Sequence, residues 1–326
     1  MRVFIIFLHL IAAVAQTSAA PSTRQNFKTR LSVPRHAVIF LVDDLGYGDT
    51  HHRGAEYPTE NIDALALSGI RLNQSYSTQL CSPTRGSLLS SRYSYNVGMD
   101  GNVLVTHDER CLNTSVSTVG DHMKNNGVKT AFIGKYDIGY SEWACTANCR
   151  GFDYWLGYYG AAEGLKSFSC IIFWQNKFSP SLSFPPSKHI HRIDYYLHGS
   201  AKNLDFHENF LQAPQYRGEY STSLFARKAV EFARNASNEN ANQSTFLYLA
   251  FQAVHGPIEP PPKNYSEQCQ HITQPTRRTY CAMMQALDEA IGVVVDGYRT
   301  LGIFNDTVFL FLGDNGGMNA EGGFNR

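Results

Sequence analysis

Charge is what this chain has least of. Asp, Glu, Lys and Arg make up only 17% of 326 residues, and 28 basic side chains offset 28 acidic ones. About a quarter is usual for a globular domain. Without a basic excess there is no electrostatic footprint for a polyanion, so nucleic acid is excluded as a partner. Internal repeats and low-complexity tracts are missing. Beyond residue 20 no apolar run is long enough for a transmembrane helix, so no membrane span is expected. Paired zinc spacing is missing too: Cys145 and Cys149 have no second Cys/His pair to match them.

What is present suits an enzyme. Hydrophobic residues reach 43%, enough for a sizeable core and too many for wholesale disorder. The length fits two domains, or one large α/β domain with insertions. Twelve histidines, 18 tyrosines and 26 glycines fit loop-rich chemistry better than a fibrous or repeat protein.

The first twenty residues read as a secretory signal peptide. Arg2 is the positive start, residues 3–14 are apolar apart from His9, and Ala13, Ala15, Ser18 and Ala20 offer small-residue cleavage positions. Six Asn-x-Ser/Thr sequons, at Asn73, Asn113, Asn235, Asn242, Asn264 and Asn305, point the same way. The expected location is the secretory pathway, with a secreted or lysosomal destination. There are seven cysteines, an odd number. In an oxidising compartment six can pair and one is left over. Local pairing favours Cys269 with Cys281.

Buried strands are expected at 36–42, 128–133, 245–253 and 308–312, where apolar runs are continuous. Helices are expected at 61–70, 116–126, 222–236 and 279–301. Residues 144–214 show no clear period and read as insertions and loops. Alternating strands and helices predict an α/β fold, a mainly parallel central sheet flanked by helices on both faces. Ligands of such sheets lie at the carboxyl ends of the strands. Asp43, Asp44, Lys135, His255, Asp314 and Asn315 all fall there. Adjacent carboxylates repel unless a cation binds them, and all-oxygen ligands suit Ca²⁺ or Mg²⁺ better than zinc.

Cys81-Ser82-Pro83-Thr84-Arg85, followed by Leu89-Ser90-Ser91-Arg92, resembles the sulfatase signature C-x-P-x-R. VDDLGYGD at 42–49, FLYLAFQAVHGP at 246–257 and GDNGG at 313–317 also match, closest to the arylsulfatase B, I and J group. The resemblance covers nearly the whole mature chain. It implies an alkaline-phosphatase-like catalytic domain over 34–326 and a sulfuric ester hydrolase acting on sulfated glycans. Cys81, the cysteine left unpaired, would be oxidised to formylglycine by the formylglycine-generating enzyme and serve as nucleophile. Asp43, Asp44, Asp314 and Asn315 would hold one Ca²⁺ together with modified Cys81. Arg85 would orient and charge-stabilise the formylglycine, Lys135 would bind the sulfate, and His255 would donate to the leaving group. The chemistry is coherent: a sulfate monoester is anionic, and clustered positive charge offsets its repulsion of a nucleophile. A helix beginning near Cys81 would present its amides to that anion.

Two departures from the family pattern stand out. Asp137 takes the place of a histidine, adding negative charge beside the expected sulfate site. The family's next sulfate-binding lysine and its small C-terminal domain fall beyond Arg326, and the last lysine here is Lys263. The resemblance therefore implies a truncated catalytic domain, its sheet left with an unpaired edge. The main alternative is a catalytically impaired pseudo-sulfatase that binds sulfated glycans or a protein partner. A phosphatase of the same superfamily would want a Ser/Thr nucleophile and His-rich zinc sites. A cysteine hydrolase built on Cys81, His255 and Asn315 is generic.

Overall fold

Apolar runs pair by register into one sheet. The computed structural model describes residues 33–104, 108–160 and 205–325. The expected signal segment, Cys170 and much of the expected insertion lie outside the described residues. Strands β1 (His36–Val42), β2 (Lys129–Lys135), β3 (Tyr154–Tyr158), β6 (Thr245–Phe251) and β7 (Thr307–Gly313) run parallel. The two-residue strands β4 (His207–Glu208) and β5 (Leu211–Gln212) add an antiparallel margin. The order is β5-β4-β3-β2-β6-β1-β7.

The faces separate by strand alternation. Val38, Phe40 and Val42 of β1 pack with α1 (Glu60–Ser68), α4 (Ser221–Glu239) and α6 (Pro275–Thr300). Ala37, Ile39 and Leu41 face α2 (Cys81–Ser90) and α3 (Val119–Asn125). Helices on both faces of a mainly parallel sheet are the expected α/β architecture. β1 and β6 are buried throughout, whereas β7 is half-buried along its length and forms one edge among the described residues. No described helix is long and apolar enough to cross a membrane.

Two expectations need correction. The region 144–214 is not all loop: β3 lies within it, with Trp155 and Leu156 fully buried. Its five residues carry aromatics and an internal Gly157 instead of a β-branched run, so neither length nor period marks it. The helix expected from 116 starts at Val119, because Thr118 stops it with a capping box. Its hydroxyl accepts from the Asp121 amide at 3.1 Å, and the Asp121 carboxylate accepts from the Thr118 amide at 2.8 Å. Cys269–Cys281 ties the short helix α5 (Ser266–Cys269) to α6, and Cys111 pairs with Cys145. Among the described residues Cys81 is buried and outside any disulfide, and exposed Cys149 has no described partner; Cys170 lies outside the described residues.

Candidate active site

Register gathers the site. Val42 pairs with Gly313 on one side and Phe251 on the other, so β1, β6 and β7 end level with one another. The chain just beyond stays laced together. The Asp314 amide donates to the Val42 carbonyl at 3.0 Å, and the Asp43 amide to the Ala253 carbonyl at 3.1 Å. On the next strand Gly134 permits close approach: a Cβ there would lie 1.8 Å from the Ala250 carbonyl oxygen. Asp43, Asp44, Lys135, Asp314 and Asn315 are delivered to one place, all buried, with His255 half-buried beside them.

Helix α2 brings the motif in from the other direction. It begins at Cys81, with Leu80 as the preceding extended residue. Four residues on, Arg85 shares its face. The Arg85 guanidinium is fully buried and fully engaged. Nε and Nη2 donate to Asp314 Oδ2 at 3.1 and 2.8 Å, Nη2 to Asp43 Oδ1 at 3.2 Å, and Nη1 to the Lys135 carbonyl at 2.8 Å. Lys135 Nζ donates to both Asp43 oxygens, at 3.0 and 2.8 Å. Cys81 Sγ lies 3.5 Å from Asp43 Oδ1. All eight sequence-derived candidates therefore converge. Arg85 and Lys135, expected to face nucleophile and substrate, are here committed to carboxylates.

The electrostatics are those of crowded acids. Burial pushes the Asp314 carboxyl up to about 6, and neighbouring Asp43 adds to this against Arg85 and Lys135. Burial also works on Asp43, yet Lys135, His255 and Arg85 hold its carboxyl below the ordinary value. Burial pushes the Cys81 thiol far up. Against burial, Asp43 and Asp44 raise His255.

The donor set fits an oxygen-bound cation. Ligand atoms of Asp43, Cys81 and Asp314 lie within 4.8 Å of one another. Asn315 donates through Nδ2 to Asp44, while its buried Oδ1 has no hydrogen-bond partner. A carbonyl oxygen orphaned beside three carboxylates is a ready ligand for a hard ion. Cys81, buried and outside any described disulfide, lies beside this cluster, its Sγ 3.5 Å from Asp43 Oδ1.

Two neighbours escaped the sequence reading. Ser82 donates to Asp137 Oδ1 at 2.6 Å and accepts from the Leu104 amide at 2.8 Å. Asp137 Oδ2 has no hydrogen-bond partner and sits 3.8 Å from Lys135 Nζ. The Glu321 carboxylate lies against Gly256, where a Cβ would come within 2.1 Å of Oε1. Ser82 fell at a variable position of the motif, and Glu321 lay outside every motif.

A family model described as Sulfatase matches residues 35–325. Arylsulfatase J of Mus musculus is 28% identical over 292 residues, which take in 89% of this chain and 44% of that protein. The solved structure of Ps i-CgsB in complex with k-i-k-neocarrahexaose superposes with a TM-score of 0.73 at 24% identity, covering 90% of this chain and 60% of that one. An alkaline phosphatase superfamily protein from Vibrio parahaemolyticus shares the fold at a TM-score of 0.50 and 17% identity, over 94% of this chain and 62% of that one. The chain spans about half the length of the curated relatives it matches. With a family match running from the first residue before β1 to the loop that follows β7, the chain belongs to the sulfatase family.

Proposed function

We propose that this chain is the catalytic part of an arylsulfatase-like sulfuric ester hydrolase that cleaves sulfate monoesters on sulfated glycans. The observation that carries this reading is the meeting of Cys81 with three carboxylates, an orphaned amide oxygen and two buried cations at one set of strand ends. Asp43, Asp44, Asp314 and Asn315, with modified residue 81, would hold one Ca²⁺. When present, Ca²⁺ supplies positive charge to the sulfate oxygens and formylglycine supplies the attacking oxygen.

The chain's own residues do the rest. Arg85 fixes Asp43 and Asp314 relative to α2 and keeps positive potential beneath residue 81. Lys135 exchanges part of its bonding to Asp43 for the sulfate. His255 Nδ1 lies 2.6 Å from the Gly256 carbonyl, which can only accept. That fixes the ring and turns Nε2 toward Asp44, from where a protonated His255 donates to the leaving oxygen. Maturation would need the formylglycine-generating enzyme, which fits a signal peptide and six sequons whose asparagines are all exposed. A glycan substrate is supported by the neocarrahexaose held by Ps i-CgsB.

Hydrolysis of a chromogenic aryl sulfate, by protein co-expressed with the modifying enzyme and supplied with Ca²⁺, tests the reading. Turnover should vanish in Cys81→Ala and should be absent with the matching aryl phosphate. Turnover of the phosphate alone would replace the reading with a phosphatase. The second reading, an impaired pseudo-sulfatase, is favoured by the buried carboxyl of Asp137 next to Lys135. It predicts glycan binding without turnover.

A further inference from the structure

We infer that chains whose Cys81 is still a thiol carry a zinc site made by Asp44, Cys81 and His255, so that the chemical state of residue 81 selects the metal. One ligand atom from each of these residues lies within 4.8 Å of the other two. Zinc bonds of about 2.0–2.3 Å at tetrahedral angles place ligand atoms roughly 3.3–3.6 Å apart. His255 Nε2 and Asp44 Oδ2 are already 3.7 Å apart, so that pair closes on an ion with a shift of a few tenths of an ångström, and the sulfur, within 4.8 Å of both, needs to close by at most about 1.3 Å.

The histidine is prepared for this role. The Gly256 carbonyl, 2.6 Å from Nδ1, holds the proton there and makes Nε2, which faces Asp44, the nitrogen that binds an ion on giving up any proton of its own. A ligating histidine commonly donates its other ring N–H to a backbone carbonyl in this way. The sulfur is available as well, because Cys81 is buried and outside any described disulfide. Sulfur, imidazole nitrogen and one carboxylate form a borderline-soft donor set that favours zinc over calcium. Thiolate and carboxylate balance the two charges of the ion, and a fourth position remains for water.

The second triplet, Asp43, Cys81 and Asp314, shares the same sulfur but offers two carboxylates. Exchanging that sulfur for oxygen removes the soft donor and leaves a set suited to a hard ion. The zinc site stands on the thiol geometry alone; only the switch rests on the proposed conversion of residue 81.

The test uses full-length protein made without the modifying enzyme, stripped of metal and titrated with Co²⁺, a spectroscopic stand-in for Zn²⁺. One equivalent should produce thiolate-to-cobalt charge-transfer absorption with the intense visible bands of four-coordinate cobalt, and Zn²⁺ should displace it. Cys81→Ser should abolish the charge-transfer band, and His255→Gln should weaken binding at least about tenfold. Cys149→Ser, at an exposed position, should change nothing. Zn²⁺ should also slow alkylation of Cys81, read by peptide mass spectrometry, which needs no variant. Charge-transfer absorption that survives Cys81→Ser, cobalt binding without it, or alkylation of Cys81 indifferent to Zn²⁺ would overturn the site. Converted protein should bind Ca²⁺ and lose the tight Zn²⁺ site; retention of that site would overturn the switch. A thiol form that binds zinc beside a converted form without sulfatase turnover would sink the proposed function and leave the zinc site standing.

Discussion

At the scale of a single residue, Asp137 stands where the resemblance implies a histidine. Its backbone sits at φ 51°, the left-handed region that Asp, Asn and His tolerate better than most. Ser82 occupies one carboxylate oxygen, the other faces Lys135, and burial pushes the carboxyl up to about 6. At neutral pH this group is ionised beside the expected sulfate and competes for Lys135. Asp137→His should therefore raise kcat/KM for an aryl sulfate by about tenfold, or roughly 1.4 kcal/mol of transition-state stabilisation. The same backbone φ accepts histidine, and a Tm measured on both proteins separates any packing cost at this buried position from the effect on catalysis. Equal kcat/KM in both proteins would clear the carboxylate of blame. The acids Asp43, Asp44 and Asp314 were legible in the sequence because polar residues straight after buried apolar runs fall at strand ends. Ser82 and Glu321 were not, since each acts through a contact made only in three dimensions: Ser82 with Asp137, 55 positions away, and Glu321 with Gly256.

At the scale of elements, legibility followed the strength of local signals. Strands β1, β2, β6 and β7 announced themselves as continuous apolar runs, which is how strands buried on both faces read. β3 did not, because its pairing with β2 and its cover of aromatic rings supply what its own sequence lacks. The start of α3 was readable only through its cap. Thr118→Ala should remove the capping bond and the hydroxyl's bond to the Arg150 carbonyl, 2.8 Å away. A loss of about 1–2 kcal/mol in urea unfolding is expected, and no change would show that the cap is idle. The end of β3 carries a pH-sensitive counterpart. Buried Asp205 accepts from the amides of Tyr159 and Gly160 at 3.3 and 3.0 Å. Burial nonetheless pushes its carboxyl up to about 7. A raised folded-state value means that the folded chain keeps a proton that the unfolded chain gives up. Asp205 therefore weakens stability progressively as pH rises from about 4 to 7, then levels off. Asp205→Asn should become more stable relative to the parent across that window, by on the order of a few kcal/mol. A constant difference between the two proteins from pH 4 to 8 would contradict this.

At the scale of the whole molecule, the site is also a fastener. Asp43 and Asp44 follow β1, buried throughout, while Asp314 and Asn315 follow the half-buried β7, an edge strand among the described residues. Without a cation, Asp43 and Asp314 share two fixed cationic side chains, Arg85 and Lys135, Asp44 faces His255 and the Asn315 amide, and Asp314 resists ionising. A divalent ion among them would offset the repulsion and tie the two loops together. Ligand bound only by the folded state stabilises it by about 2.7 kcal/mol at a hundred times Kd. For a chain of this length that corresponds to a rise in Tm on the order of 5 °C. Chelation should remove it, Ca²⁺ should restore it, and Asp314→Asn should make Tm indifferent to both. Hydrogen exchange should quicken first in the loops that supply the ligands and along β7, which among the described residues is paired on one side and half-buried. If chelation leaves both Tm and the exchange of β7 unchanged, the carboxylates are balanced by Arg85 and Lys135 alone, and the site has no structural need of a metal.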